Sequence, residues 1–170
     1  MTHYIGIAVA LALASSIAAA AQAPGTDALI AEAVQVLPDD LRAGATVVTY
    51  DQATGARRVI RQGTNFLECQ PRDPADGFAR CYHKLFGPRR DLEAKLKAEK
   101  KTEEQIGQAV AAAIKAGTIA PTPPGVMSYR HYDKRDRIQN LWVWSTPNST
   151  PEPVGVSTVS QRNEALAGRG

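Results

Sequence analysis

Runs of β-branched residues alternate with turn-forming residues in the first half of the chain. Residues 45–50 and 57–61 are strand-like and residues 51–55 have turn chemistry, so a β-hairpin is predicted. Another short strand is predicted at 65–69. It leads into the polar segment 70–80, whose prolines and glycine favour an irregular loop.

Helical periodicity dominates the middle of the chain. Residues 91–101 are rich in strong helix formers, and Pro88 suits the first turn of a helix. Residues 102–105, Thr-Glu-Glu-Gln, match a capping box, and an apolar stripe follows at helical spacing until Gly117. These two segments are expected to form a helical hairpin that packs on the sheet.

The remaining elements flank this region. Residues 26–36 are predicted to form a helix that Thr26 caps and Pro38 ends. Beyond a proline-rich connector, residues 126–133 and 138–145 have the composition of two strands. All these elements together predict one α+β domain with a mainly antiparallel sheet and the helical hairpin packed on one face.

The last predicted strand contains both tryptophans of the chain. Alternation places Trp142 and Trp144 on one face, with Leu141 and Val143 on the other. A strand that is apolar on both faces is usually central or covered twice, so we expect at least one tryptophan to be substantially buried. If both are exposed instead, Trp142 and Trp144 form the first candidate ligand or partner surface.

The N-terminus has the pattern of an export signal. The first twenty-five residues contain no Asp, Glu, Lys or Arg, run apolar, and end in small residues. We expect residues 1–21 to be a signal peptide that is removed, which leaves residues 22–170 as a single domain in the periplasm or outside the cell. The alternative is an uncleaved anchor. Beyond this segment no apolar run approaches membrane-spanning length, so stable membrane insertion after cleavage is not expected.

The chain has two cysteines, Cys69 and Cys81, separated by the proline- and glycine-containing segment. In an oxidising compartment such a pair is expected to form a disulfide. The alternative is a redox pair, but that chemistry favours a short Cys-x-x-Cys spacing at the start of a helix. We therefore predict a structural bridge between Cys69 and Cys81.

The charge distribution gives little indication of a partner. The formal net charge is +3, from 20 basic and 17 acidic residues, so the surface is mixed. Residues 129–137 interleave aromatic and basic side chains, which suits stacking on bases. Asp133 and Asp136 reduce the local charge, however, so a solvated hairpin tip is favoured and no nucleic-acid partner is expected.

Candidate catalytic residues are few. His83 and His131 are the two histidines beyond the predicted signal, and Asp133 shares a strand face with His131. No Gly-x-Ser-x-Gly motif or recognisable metal-ligand spacing accompanies them. The leading hypothesis is a non-enzymatic exported binding or envelope-associated protein without a cofactor. The alternative is a small secreted hydrolase or metal-dependent enzyme that uses His83 or His131.

Residues 61–69, Arg-Gln-Gly-Thr-Asn-Phe-Leu-Glu-Cys, resemble an uncharacterised family of small secreted bacterial proteins. The likeness extends through residues 124–129, 142–147 and 157–166. The resemblance implies secretion from a bacterium but no particular function. The highly charged helix predicted at 89–101 departs from the family pattern.

The C-terminal residues also depart from that family, whose members continue past the position of Gly170 into an apolar segment. Residues 161–170 contain only three apolar side chains, Ala165, Leu166 and Ala167, and we expect this end to fray. The resemblance implies a truncated core, with an uncovered sheet edge that could support self-association.

Overall fold

A computed structural model describes residues 24–134 and 139–150. The predicted signal segment 1–21, the centre of the predicted hairpin tip and the predicted loose end after Ser160 lie outside these residues. The helices are α1 Thr26–Val34, α2 Asp39–Arg42, α3 Gly87–Ala98 and α4 Glu103–Lys115. The strands are β1 Thr46–Tyr50, β2 Arg57–Arg61, β3 Leu67–Gln70, β4 Phe78–His83, β5 Met127–Tyr132 and β6 Asn140–Trp144.

The six strands form one sheet in the order β2-β1-β3-β4-β5-β6. Four of the neighbouring pairs are antiparallel, and β1 and β3 are parallel. The α+β prediction is confirmed, with a mixed rather than purely antiparallel sheet. The expectation of a mainly antiparallel sheet did not include the β1–β3 pair, which arises because the chain crosses from β2 to the opposite edge of β1.

Gly63 allows that crossing. The backbone amides of Thr64 and Asn65 donate to the Gly44 carbonyl oxygen at 2.8 and 2.9 Å. A Cβ atom at position 63 would clash with the backbone of residues 44–46. Glycine is therefore required by close backbone approach at the point where β3 is brought beside β1.

The predicted irregular loop at 70–80 is wrong at its C-terminal end. Strand β4 begins at Phe78 and lies inside the sheet, between β3 and β5. The irregular part is shorter, since β3 itself extends to Gln70. A buried strand is usually apolar on both faces, and the charged Arg80 within β4 conceals this one.

Helices cover the two faces of the sheet differently. Helix α1 packs on β1, β3 and β4, and its Ala33 and Val34 join Val47 and Leu67 in the main apolar cluster. Helix α3 lies on the opposite face, where the Tyr50 hydroxyl donates to Asp91 at 2.6 Å. Helix α4 packs against α3, so the two form the predicted hairpin.

The start of α4 has the predicted capping box. The Thr102 hydroxyl accepts from the Gln105 amide at 3.2 Å, and the Gln105 side-chain oxygen accepts from the Thr102 amide at 3.0 Å. Gly117, with φ of +73°, follows the helix in the left-handed conformation that favours glycine.

Cys69 and Cys81 lie directly opposite each other on β3 and β4 and are joined by a disulfide. Both are fully buried and belong to the same apolar cluster as α1. The bridge therefore closes the 70–80 segment from within the core rather than at the surface. In the ranges that the structure covers, no helix combines the length and the apolar character needed to cross a membrane.

Candidate functional site

An aromatic surface lies on the outer strands of the sheet and consists of Met127, Tyr129, Trp142 and Trp144. Met127 pairs with Trp144 and Tyr129 with Trp142 in the antiparallel β5–β6 ladder. Paired residues point to the same side of a sheet, so all four side chains share one face. The Tyr129 and Trp142 rings meet edge to face, with centroids 5.7 Å apart.

Both tryptophans are exposed, Trp142 to 58% and Trp144 to 61%. The prediction that they share a face is confirmed, and the prediction that at least one is substantially buried is wrong. The physical reason is the position of β6, which is at the edge of the sheet among the described strands, while α1 packs on strands further in. Alternation indicates which residues share a face, but not whether a helix covers it.

Polar groups continue the aromatic surface along the same two strands. His131 pairs with Asn140, one level beyond the Tyr129–Trp142 pair. The His131 Nδ1 atom lies 2.8 Å from the Asn140 side-chain oxygen. This leaves His131 Nε2 and the Asn140 amide nitrogen as hydrogen-bonding groups beside the exposed rings.

The structure does not bring the candidate enzymatic residues together. His131 pairs with Ala79, four residues from His83 on β4, so the two histidines are about 13 Å apart along the sheet. His83 accepts from the Leu85 amide at 3.2 Å. Asp133 forms an ion pair with Arg72 instead of meeting His131. Within 24–134 and 139–150, no group of three or more His, Cys, Asp or Glu side chains could hold a metal ion.

The opposite face of the sheet, beneath α3, carries a polar network that is partly buried. The Arg57 guanidinium donates to Glu68 at 2.6 Å, and the Gln70 amide donates to the Tyr82 hydroxyl at 2.8 Å. The Arg90 guanidinium lies over the Tyr82 ring, 4.9 Å from its centroid. These contacts join α3 to the sheet through polar as well as apolar atoms.

Burial shifts the pKa values of three groups in and beside this network. It raises the pKa of Tyr82 and of Tyr50, and the neighbouring Tyr82 and Asp91 raise that of Tyr50 further. Burial also raises the pKa of Glu68, although the nearby Arg57 charge opposes the shift. These shifts follow from burial beneath α3 and from the contacts within the network.

An arginine cluster of Arg80, Arg90 and Arg130 lies on the same face, next to this network. Arg80 on β4 and Arg130 on β5 are directly opposite each other in the ladder. Arg90 comes from α3. Burial lowers the pKa of Arg130, and the charges of Arg80 and Arg90 lower it further. The three guanidinium groups therefore act on one another electrostatically.

A cleft of about 570 Å³ lies beside this cluster, between α3 and the sheet. Tyr50, Gln70 and Arg80 contribute to its floor, and Arg90 and Glu93 contribute from the helix. The sequence did not predict this site, because positions 80, 90 and 130 are brought together only by the β4–β5 pairing and the placement of α3. The one available signal was Arg130 within the strand predicted at 126–133, because Arg80 falls in the segment predicted to be a loop.

No family model, curated protein or solved structure matches this chain. The resemblance to small secreted bacterial proteins accordingly stays a prediction. The fold and the two sites described above are the observations on which a function can be argued.

Proposed function

We propose that this protein is an exported, non-enzymatic binding protein that holds carbohydrate against its aromatic surface. The exposure of Trp142 and Trp144 side by side on one strand face is the observation that carries the proposal. Large aromatic side chains are normally buried, and their exposure as a group marks an interaction surface. Export rests on the predicted signal peptide at 1–21, and the Cys69–Cys81 disulfide is compatible with an oxidising compartment.

The combination of groups favours carbohydrate over a purely apolar partner. A sugar ring has faces of C–H groups that stack on aromatic rings and a rim of hydroxyls that need hydrogen bonds. Trp142 and Trp144 are two positions apart on β6, which places their Cα atoms about 7 Å apart. His131 and Asn140 continue the same face with hydrogen-bonding groups. Two stacking positions followed by a polar pair suit an oligosaccharide of several units.

The chain provides its own probe, because Trp142 and Trp144 are its two tryptophans. Tryptophan emission therefore reports on the proposed site directly. Titration with cellotetraose and chitotetraose should shift the emission to shorter wavelength and protect it from acrylamide quenching, because a stacked sugar removes water from the indole rings. Glucose at the same concentration of sugar rings should have a smaller effect, since it occupies one stacking position.

Single substitutions test whether the two tryptophans bind the oligosaccharide. Trp142→Ala and Trp144→Ala should each weaken oligosaccharide binding at least tenfold, measured by calorimetry. Phe66→Ala is the matched control, because Phe66 is 55% exposed, lies outside the aromatic surface, and should leave binding unchanged. Oligosaccharide binding that survives replacement of both tryptophans, or emission that no oligosaccharide alters, would contradict the proposal.

A further inference from the structure

Arg80 and Arg130 are like charges placed directly opposite each other on adjacent strands. Such a pair is destabilising, and the arginine side chain does not relieve it by losing its proton. Burial increases the cost, since the Arg80 side chain is only 9% exposed and Arg130 is half-buried. A protein that retains this arrangement requires negative charge nearby.

The neighbouring carboxylates are already engaged with other arginines. Asp76 and Asp73 pair with Arg80, the latter at 3.5 Å. Glu93 accepts from both Arg89 and Arg90, at 2.8 and 2.9 Å. Within the described residues, the ion pairs of the cluster are therefore Arg80 with Asp73 and Asp76, and Arg89 and Arg90 with Glu93.

Arg130 is left without an acceptor. The Arg130 guanidinium forms no hydrogen bond or ion pair with any residue that the structure describes. Burial, and then the charges of Arg80 and Arg90, lower its pKa and outweigh the opposing charges of Asp76 and Glu93. Four guanidinium groups, at positions 80, 89, 90 and 130, stand against three carboxylates, at 73, 76 and 93, so the region carries one uncompensated positive charge. A half-buried guanidinium can donate to water, but an anion that reaches it would gain charge-assisted hydrogen bonds and would reduce the repulsion between Arg80 and Arg130.

We propose that the arginine cluster of Arg80, Arg90 and Arg130 binds a phosphate-type oxyanion, free or as a monoester, with Arg130 as the main donor. The planar guanidinium matches the spacing of two phosphate oxygens, and three such groups surround a tetrahedral anion more completely than a flat carboxylate. The cleft beside Arg80 and Arg90 gives access from solvent, and Arg130 adjoins it through its pairing with Arg80. Charged residues of both signs line the cleft: Arg72, Arg80, Arg90, Lys97, Lys100 and Lys101, with Asp51, Asp73, Glu93 and Glu103. The cationic side chains outnumber the carboxylates in this lining, so the cleft favours anions. The site lies on the sheet face opposite the aromatic surface and does not depend on the proposed function.

Inorganic phosphate is the first probe. The melting temperature of the protein should rise with sodium phosphate relative to sodium chloride at equal ionic strength, because a ligand that binds the native state stabilises it. Arg130→Gln should lose at least tenfold in phosphate affinity by calorimetry. Arg58→Gln is the matched control, because Arg58 is an exposed strand arginine of equal charge and should bind phosphate as the wild type does.

Folding of the variant is checked in the same series. In chloride, Arg130→Gln should be at least as stable as the wild type, because it removes one of two opposed like charges. Arg130→Lys keeps the charge without the planar fork, so it should bind phosphate several-fold more weakly than the wild type.

A second binding experiment distinguishes free phosphate from a phosphate monoester as the ligand. Glycerol 3-phosphate that binds more tightly than inorganic phosphate, in an Arg130-dependent manner, would assign the site to phosphate monoesters, and the reverse order would assign it to free phosphate. Absence of binding to either probe would overturn the proposal. Equal phosphate effects on the wild type, Arg130→Gln and Arg58→Gln would also overturn it, because they would show a general salt effect.

Discussion

The two faces of the outer strands are built in opposite ways. On one face, Trp142 and Trp144 are apolar and exposed, and on the other Arg130 is charged and half-buried beside Arg80. A sheet covered on one side normally buries its apolar face and exposes its charges. Both departures occur at the same end of the sheet. Each places side chains outside their usual environment, and the carbohydrate and phosphate proposals rest on these two departures.

The inner strands follow the ordinary rule. Val47, Cys69 and Cys81 are fully buried against α1 and form the centre of the apolar cluster. Stability should therefore depend on the inner strands and the α3 contacts, whereas binding should depend on the outer strands. This separation can be measured with single substitutions.

Tyr82→Ala should cause the largest loss of stability. Tyr82 is 2% exposed, it accepts a hydrogen bond from Gln70, and its ring lies beneath Arg90. Removal of so large a buried ring is expected to lower the free energy of unfolding by about 3–5 kcal/mol, measured by urea denaturation. Tyr82→Phe, which keeps the ring, should lose about 1 kcal/mol. A cost for Tyr82→Ala as small as that of an exposed tryptophan would remove the distinction between inner and outer strands.

Loss of the disulfide should be the next largest effect. Replacement of both Cys69 and Cys81 with alanine should lower the free energy of unfolding by about 3 kcal/mol, because the unfolded chain regains the freedom of the 70–80 segment. Peptide mapping without reductant checks that the bridge is present in the wild type. Unfolding in reductant should weaken the wild type and leave the double variant unchanged. Two free thiols in the exported wild-type protein would contradict the bridge.

The hairpin of β1 and β2, the capped helix α4 and the cysteine pairing could all be predicted from the sequence. Each depends on local signals, such as the turn residues after Tyr50 and the Thr102 capping box. Strand β4 and the burial of Arg80 could not be predicted. A charged residue in a buried strand is tolerated only when acidic partners neutralise it, and here those partners come from a nearby loop. The two candidate sites could be predicted from the sequence to different degrees. The sequence placed Trp142 and Trp144 on one face but could not show which face a helix covers, and it gave no means of placing Arg90 beside Arg130.

Glu93→Gln should have an intermediate effect that depends on pH. Burial alone would raise the pKa of Glu93, but Arg90 and Arg89 outweigh it and hold that pKa below the ordinary value. A lowered carboxyl pKa stabilises the native state above the unfolded-state pKa, and this stabilisation is lost as the pH falls through the native-state value. The variant should therefore lose about 1–3 kcal/mol at neutral pH and show less further loss on acidification.

Glu99→Gln is the matched control for that experiment. Glu99 follows α3 and is exposed, so its replacement should change the free energy of unfolding little. Denaturation measured across the acid range compares the two variants. A parallel change in both would indicate a general charge effect rather than the specific contacts of Glu93.

Trp142→Ala should have the smallest effect on stability. The ring is 58% exposed and has one aromatic contact, with Tyr129, so the loss should stay below about 1.5 kcal/mol. The measurement is urea denaturation followed by circular dichroism. A loss comparable with that of Tyr82→Ala would mean that the aromatic surface is part of the stabilising core, and the proposed separation of the two regions would fail.

The Cys69–Cys81 bridge also determines how the protein responds to mechanical force. When the two ends of the chain are pulled apart, tension passes from β3 to β4 through the sulfur atoms, and residues 70–80 carry none of it. About 40 Å of chain is thereby excluded from the extension that accompanies unfolding. In a single-molecule pulling experiment, addition of a reductant should lengthen each unfolding step by this amount.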